Sequence, residues 1–180
     1  ISQLFLRMKL NPNDFTECAW QAIIDAKNLA LNENHQTLET EHLLCSLLKK
    51  NELTIKSIER SGGSIKSFIR EVEAFIKTQP KMHKIQESIF FGENISLSIS
   101  RATNIKQSFK DDFISSEHLV ISLFDDKRVC NRLFVQNEIN KNSLIEAINT
   151  IRGDKKVTQK NTENSYEALQ KYGLNLTSAA

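Results

Sequence analysis

The sequence has little of what bends a chain sharply: 5 glycines and 2 prolines in 180 residues. A protein of many tight hairpins needs more of both, so long helices are favoured over sheets. Its 3 cysteines, Cys18, Cys45 and Cys130, are odd in number and lack any C-x-x-C spacing. That argues against a disulfide framework or a structural zinc site, and for a reducing compartment. Cys45, inside an apolar run, reads as a small buried hydrophobe. No apolar run approaches membrane-spanning length. No G-x-x-x-x-G-K-[ST] cradles a phosphate, and no H-E-x-x-H offers two histidines to a zinc. An excess of one charge is missing too. The 24 basic and 22 acidic residues are well mixed and leave a net charge of +2, which is no footprint for nucleic acid.

What is present is one phrase written twice. Residues 38–48 read LETEHLLCSLL and residues 114–124 read ISSEHLVISLF, with Glu41 and Glu117 76 residues apart. Sliding the chain by that offset lays apolar positions on apolar positions without a gap. Ala26 meets Ala102, Leu38 meets Ile114, Leu47 meets Leu123, Phe68 meets Leu144 and Val72 meets Ile148. Such self-similarity means one supersecondary unit used twice, each copy too small to bury a core alone.

Each copy reads as four helices. In the first, Ala19, Ala22, Ile23, Ala26 and Ala30 recur at three-and-four spacing, an apolar stripe made mostly of alanine. Leu43, Leu44, Leu47 and Leu48 mark a second helix. Leu53, Ile55 and Ile58 mark a third, ended by Gly62-Gly63, and Ile65, Phe68, Ile69, Val72 and Phe75 a fourth. The second copy repeats the plan through Ile95/Ile99/Ala102, Leu119/Val120/Leu123, Val129/Leu133/Phe134 and Leu144/Ile145/Ile148/Ile151. The expected fold is all-α, two pseudo-symmetric four-helix repeats packed into one domain over 14–151, with repeat one at 14–77 and repeat two at 90–151. Residues 1–13, which open without Met, are set aside as an appended leader or presequence remnant. Residues 152–164 are polar and read as an exposed linker. Residues 165–180 begin a new amphipathic segment.

Glu-His opens an apolar helix in both copies. A preceding Ser or Thr can cap the first-turn amides, and the Glu is favoured by the positive end of the helix dipole. Adjacent residues on a helix point about 100° apart, so one Glu-His pair is a poor chelate. The phrase therefore reads first as a helix start used twice. No catalytic or metal-binding residue is assigned.

Paired copies of (S/T)-x-E-H-L-L-x-x-L resemble the Clp repeat domain at the N-terminus of Clp-type AAA+ chaperones, and most of all the ClpB-type disaggregases. FTECAWQAI is similar to their opening helix, and DDFISSEHLVISL to the start of the second repeat's cap helix. IRGDKKVTQKNTENSYEALQKYGLNLT is similar to the stretch leading into the first AAA+ module, which would place the start of that module at 165–180. The resemblance implies a mobile, non-catalytic domain on a hexameric ATP-driven disaggregase. It would engage unfolded or aggregated proteins and pass them to the axial channel. ATP and Mg would belong to the parent protein beyond Ala180, with no cofactor in this domain. The fragment would be monomeric and the parent a homohexamer, without nucleic-acid or membrane partners. It would work in a cytoplasm, or in an organelle matrix or plastid stroma of the apicoplast type.

The resemblance also implies substrate-handling roles for Thr16, Asp111 and Glu117. Ile105, Phe109 and Phe113, beside the Asp111-Asp112 pair, are the candidates for an apolar groove rimmed by carboxylates, against the alternative of ordinary core packing. Other readings make the domain a docking platform for an adaptor or cooperating chaperone. Another subfamily's trait, phospho-arginine recognition, would fall on Glu41 and Glu117, and a hydrolase on His42 or His118. Two departures from the family pattern stand out. Gly63 replaces a common aliphatic residue, and the matching turn of repeat two, QNEINKNS, has no glycine.

Overall fold

The structure, a computed structural model, describes residues 9–166 together with residue 169. Eight α-helices lie among the described residues, four in each repeat. In α1 (Glu17–Asn32), Thr16 Oγ1 caps the start by accepting the Ala19 amide at 3.2 Å. Its buried stripe is Ala19, Ala22, Ile23, Ala26 and Ala30, small enough for α2 (Thr40–Lys50) to lie close against it. α2 is the central element, buried without interruption from Thr40 to Leu48. α3 (Glu52–Arg60) starts at an Asn51 cap and stops before Gly62, whose φ of +94° only glycine adopts without strain. α4 (Ile65–Thr78) turns Phe68, Val72 and Ile76 inward. Repeat two follows as α5 (Glu93–Ser108), α6 (Ser116–Phe124), α7 (Cys130–Gln136) and α8 (Lys141–Arg152). The all-α expectation, four helices and four, holds.

The 76-residue offset is carried into the backbone itself. Apart from Gly153, which ends α8, the positive-φ residues among those described come in pairs at that spacing: Asn34 with Lys110, both at φ 58°, and Gly62 at 94° with Glu138 at 59°. So do the two short pairings that join the repeats. β1 (Thr37–Leu38) runs parallel to β2 (Phe90–Phe91), with Leu38 opposite Phe91, and Phe15 bridges Ile114 in the same sense. Each pairing takes one strand from each copy. One continuous core then spans both copies, from Phe15 and Leu44 to Leu119, Phe134 and Ile148.

Gly63 and Ile139, another pair at the same offset, face each other where the repeats meet. A Cβ on Gly63 would fall 2.3 Å from Ile139 Cδ1 and 2.8 Å from Ile58 Cγ2. The side chain absent from repeat one thus leaves room for the one present in repeat two. The second turn, lacking glycine, places Glu138 in the left-handed region instead.

Residues 152–164 depart from the exposed linker expected of them. Arg152, Val157, Thr162 and Glu163 are buried, as is Tyr166. The strap is tied down by backbone bonds from Glu17 N to Lys160 O and from Asp112 N to Val157 O, both 2.8 Å. Its composition is polar because most of its side chains face water; of the few that face inward, Arg152 and Glu163 find polar partners there, and Val157 is apolar. A short 3-10 helix, Thr162–Ser165, closes it. Beyond Ser165, Tyr166 and Leu169, the expected start of a further module lies outside the described residues. Among the described residues, no helix is long and apolar enough to cross a membrane.

Candidate functional site

The second Glu-His phrase opens α6 through a reciprocal cap between Ser115 and His118. The Ser115 amide donates to His118 Nδ1 at 2.9 Å, so the ring proton sits on Nε2 and is donated to Asp111 Oδ2 at 2.7 Å. Asp111 also receives the Arg152 guanidinium through two parallel bonds, 2.7 Å to Oδ2 and 2.8 Å to Oδ1, and the Val157 amide at 2.9 Å. Burial alone would raise the Asp111 carboxyl; the bonds from His118, Arg152 and Val157 outweigh it and hold it well below the usual range. Behind them, Glu117 Oε2 lies 3.4 Å from Arg152 Nη1 and accepts the Tyr166 hydroxyl at 2.9 Å. Glu163 Oε1 accepts from Thr16 Oγ1 at 2.6 Å and from the Ser116 amide at 2.8 Å, and its Oε2 accepts from Ser116 Oγ at 2.7 Å. Burial, then the neighbouring charge of Glu117, pushes the Glu163 carboxyl up to about 7.

Thr16, Asp111 and Glu117 are thus brought together, but inside the molecule, where none is more than 6% exposed. The expected carboxylate rim splits accordingly: Asp112 faces solvent and Asp111 turns inward to Arg152. Sequence reasoning missed Arg152, Glu163 and Tyr166. All three lie in the tail that carried the resemblance, where the polar setting of Arg152 and Glu163 suggested a solvated linker and Tyr166 was read as part of the amphipathic segment that follows.

Repeat one holds the matching relay. The Glu39 amide donates to His42 Nδ1 at 2.9 Å, so His42 Nε2–H donates to His35 Nδ1 at 2.9 Å. Burial, then the neighbouring His35, pushes the His42 ring down to about 3. Glu41 receives both terminal guanidinium nitrogens of Arg128, with Nη2 at 3.1 Å from Oε2. A cavity of about 390 Å³ adjoins them, bounded by His35, Gln79, Pro80, Glu93 and Arg128. Both Glu-His carboxylates therefore already face an arginine of this chain, which leaves an incoming guanidinium to compete for them. Ser115, His118 and Asp111 have the composition of a hydrolytic triad, but Ser115 is fully buried and His118 Nδ1 is occupied by an amide. They cap a helix. Among the described residues, no cluster of His, Cys, Asp and Glu has the arrangement of a metal site.

Of the groove candidates, Ile105 and Phe109 lie one turn apart at the end of α5, partly exposed and packed on the core. The Phe109 ring stands edge-on to His118, with centroids 5.4 Å apart, and the Arg152 guanidinium lies 5.2 Å from its centroid. Phe113 is half-buried in the turn that follows. At the 76-residue offset the three correspond to Leu29, Glu33 and Thr37, so the full apolar strip belongs to the second copy alone.

The model of the Clp repeat (R) N-terminal domain family matches residues 14–137. The chaperone protein ClpB of Prochlorococcus marinus is 43% identical over 173 residues, covering 96% of this chain and 20% of its own length. The chloroplastic ClpB3 of Arabidopsis thaliana is 37% identical, over 96% of this chain and 18% of its own. The Hsp104 N-terminal domain from Candida albicans superposes with a TM-score of 0.75 at 20% identity, covering 83% of this chain and 99% of that one. The chain thus spans about a fifth of the length of the curated relatives it matches.

Proposed function

The chain belongs to the Clp repeat (R) N-terminal domain family, and from that premise we propose that it engages exposed apolar segments of unfolded or aggregated polypeptides for an ATP-driven ring further along its parent protein. In this reading the domain is monomeric and takes no cofactor of its own. ATP, Mg and the hexamer belong to the parent. Its compartment is a bacterial-type cytoplasm or a plastid stroma, in keeping with cyanobacterial and chloroplastic relatives.

The observation that carries the reading is the broken symmetry at Ile105, Phe109 and Phe113. Two copies that share helix ends and even left-handed residues differ here, where repeat two presents partly exposed apolar side chains and repeat one has Glu33 and Thr37. A strip of this kind, beside the exposed Asp112, suits short aliphatic stretches of an unfolded chain without strict sequence demands. Thr16, Asp111 and Glu117 act on it indirectly in this reading. Asp111 holds Arg152 against the Phe109 face, and a change there reshapes the strip rather than removing a contact.

An amide-shift titration with a permanently unfolded, reduced and alkylated protein tests this. Shifts clustered over residues 105–113, absent with the same protein in its native form and lost in Ile105→Ser/Phe109→Ser, are the expected result. Equal shifts with native and unfolded forms, or none, would overturn it. Saturable binding of one dominant partner from a matched extract would point to a docking platform instead.

A further inference from the structure

Residues 153–166 do more than leave the domain. Three anchors hold them against it, separated by exposed polar residues. Val157 is buried, its amide bonded to Asp111 Oδ1 at 2.9 Å and its carbonyl to the Asp112 amide at 2.8 Å. Glu163 bonds the start of α1 through Thr16 and the start of α6 through Ser116, so one carboxylate clasps both repeats. Tyr166 is buried against Leu53 and Ile151, with its hydroxyl on Glu117. A segment with so few apolar anchors and no regular ladder opens at lower cost than the helical core.

We propose that residues 153–166 are a releasable strap latched by Glu163, and that loss of the proton from this buried carboxyl, beside Glu117, loosens the latch. Client engagement is a separate matter and neither reading depends on the other. Around Glu163 stand Cys18 of α1, with Glu17 near that thiol, Glu117 of α6 and Tyr166 of the strap itself, and Arg152 of α8 pairs with Glu117. The one cation of this group pairs with Asp111 and Glu117, so among the described residues the partners of Glu163 are hydroxyls, an amide and the Cys18 thiol. Glu117 Oε1 is buried without a hydrogen-bond partner among the described residues. Buried beside the Glu117 charge, Glu163 holds a proton that a solvated glutamate would release, and in that form its Oε2 donates to Ser116 Oγ.

The direction follows from linkage. The docked Glu163 carboxyl lies at about 7 against an ordinary 4.5. Docking is therefore fully favoured below the ordinary value and weakens as pH rises through the docked one. One such group changes the docking constant by at most about tenfold per pH unit across that window. The Cys18 thiol, pushed up to about 12 by burial first and then by Glu163, titrates far above it.

Four amides report the latch, since each donates to an acceptor on the strap or belongs to the strap: Glu17 to Lys160 O, Asp112 to Val157 O, Ser116 to Glu163 Oε1, and Val157 to Asp111 Oδ1. Hydrogen exchange of the 180-residue chain, corrected for intrinsic rates, is expected to show these four opening together and more readily than the amides of α2. Their opening constant should rise by roughly ten- to a hundredfold from pH 5 to pH 8. Glu163→Gln, which keeps an acceptor and removes the charge, should hold them at the low-pH level throughout. Val157→Lys should release all four and leave α2 protected. Protection equal to that of α2 and independent of pH would overturn the proposal, as would four amides that exchange freely at every pH, or a Glu163→Gln chain with the parental pH profile.

Discussion

At the scale of single residues, the two Glu-His phrases share a device and differ in where it ends. Both histidines accept a backbone amide on Nδ1 and donate from Nε2. In repeat one the acceptor is His35; in repeat two it is Asp111, already bound to Arg152. Reading Glu-His as a helix start used twice is right in kind: Ser115 is the expected serine cap in repeat two, whereas in repeat one the cap is Glu39 rather than a Ser or Thr. Removing Asp111 would leave the Arg152 guanidinium buried without its main partner. Asp111→Ala is expected to cost about 3–5 kcal/mol at pH 7, measured by urea unfolding. Because the folded Asp111 carboxyl is depressed, its contribution is present above the ordinary carboxylate range and is lost as pH falls through the lower folded value. His42 acts in the same direction at higher pH. Its ring lies at about 3 in the folded chain against 6.5 ordinarily, so the unfolded chain binds the extra proton and stability declines as pH drops below the ordinary value. His42→Gln, which can still cap α2, should remove that component, up to about 1.4 kcal/mol per pH unit. A pH series of unfolding midpoints for the parent and the variant checks it.

At the scale of elements, the turns between α3 and α4 and between α7 and α8 show how two copies of one plan fit together. Gly63 gives up a side chain where Ile139 fills the space. Gly63→Ile is expected to cost about 1–3 kcal/mol by overpacking, and adding Ile139→Ala should recover part of it in a double-mutant cycle. Glu138 holds an exposed left-handed position that its repeat-one counterpart gives to Gly62. Glu138→Gly should therefore raise stability by about 1 kcal/mol. All eight helices were legible in the apolar spacing. The strap was not, because it is held by hydrogen bonds that Glu163 accepts from Thr16, more than a hundred positions away, and that the Val157 amide donates to Asp111, some forty positions away, which no local pattern records.

At the scale of the molecule, each repeat is completed by the other. The Leu38–Phe91 and Phe15–Ile114 pairings cross between copies, and Arg128 of repeat two meets Glu41 of repeat one. Residues 9–78 alone are therefore expected to show no cooperative thermal transition by circular dichroism, whereas residues 9–166 should melt in one step. The amino-acid sequence by itself determined the helices, their number and the two-fold repetition, because apolar spacing and caps are local and the 76-residue echo can be read along the chain. It also carried the family. Only the tertiary structure decided that Thr16, Asp111 and Glu117 lie inside, that Asp111 and Asp112 face opposite ways, and that the polar tail is bound rather than loose. A side chain's exposure depends on what the rest of the fold brings against it: Arg152 to Asp111, Tyr166 to Glu117 and Glu163 to Thr16 and Ser116.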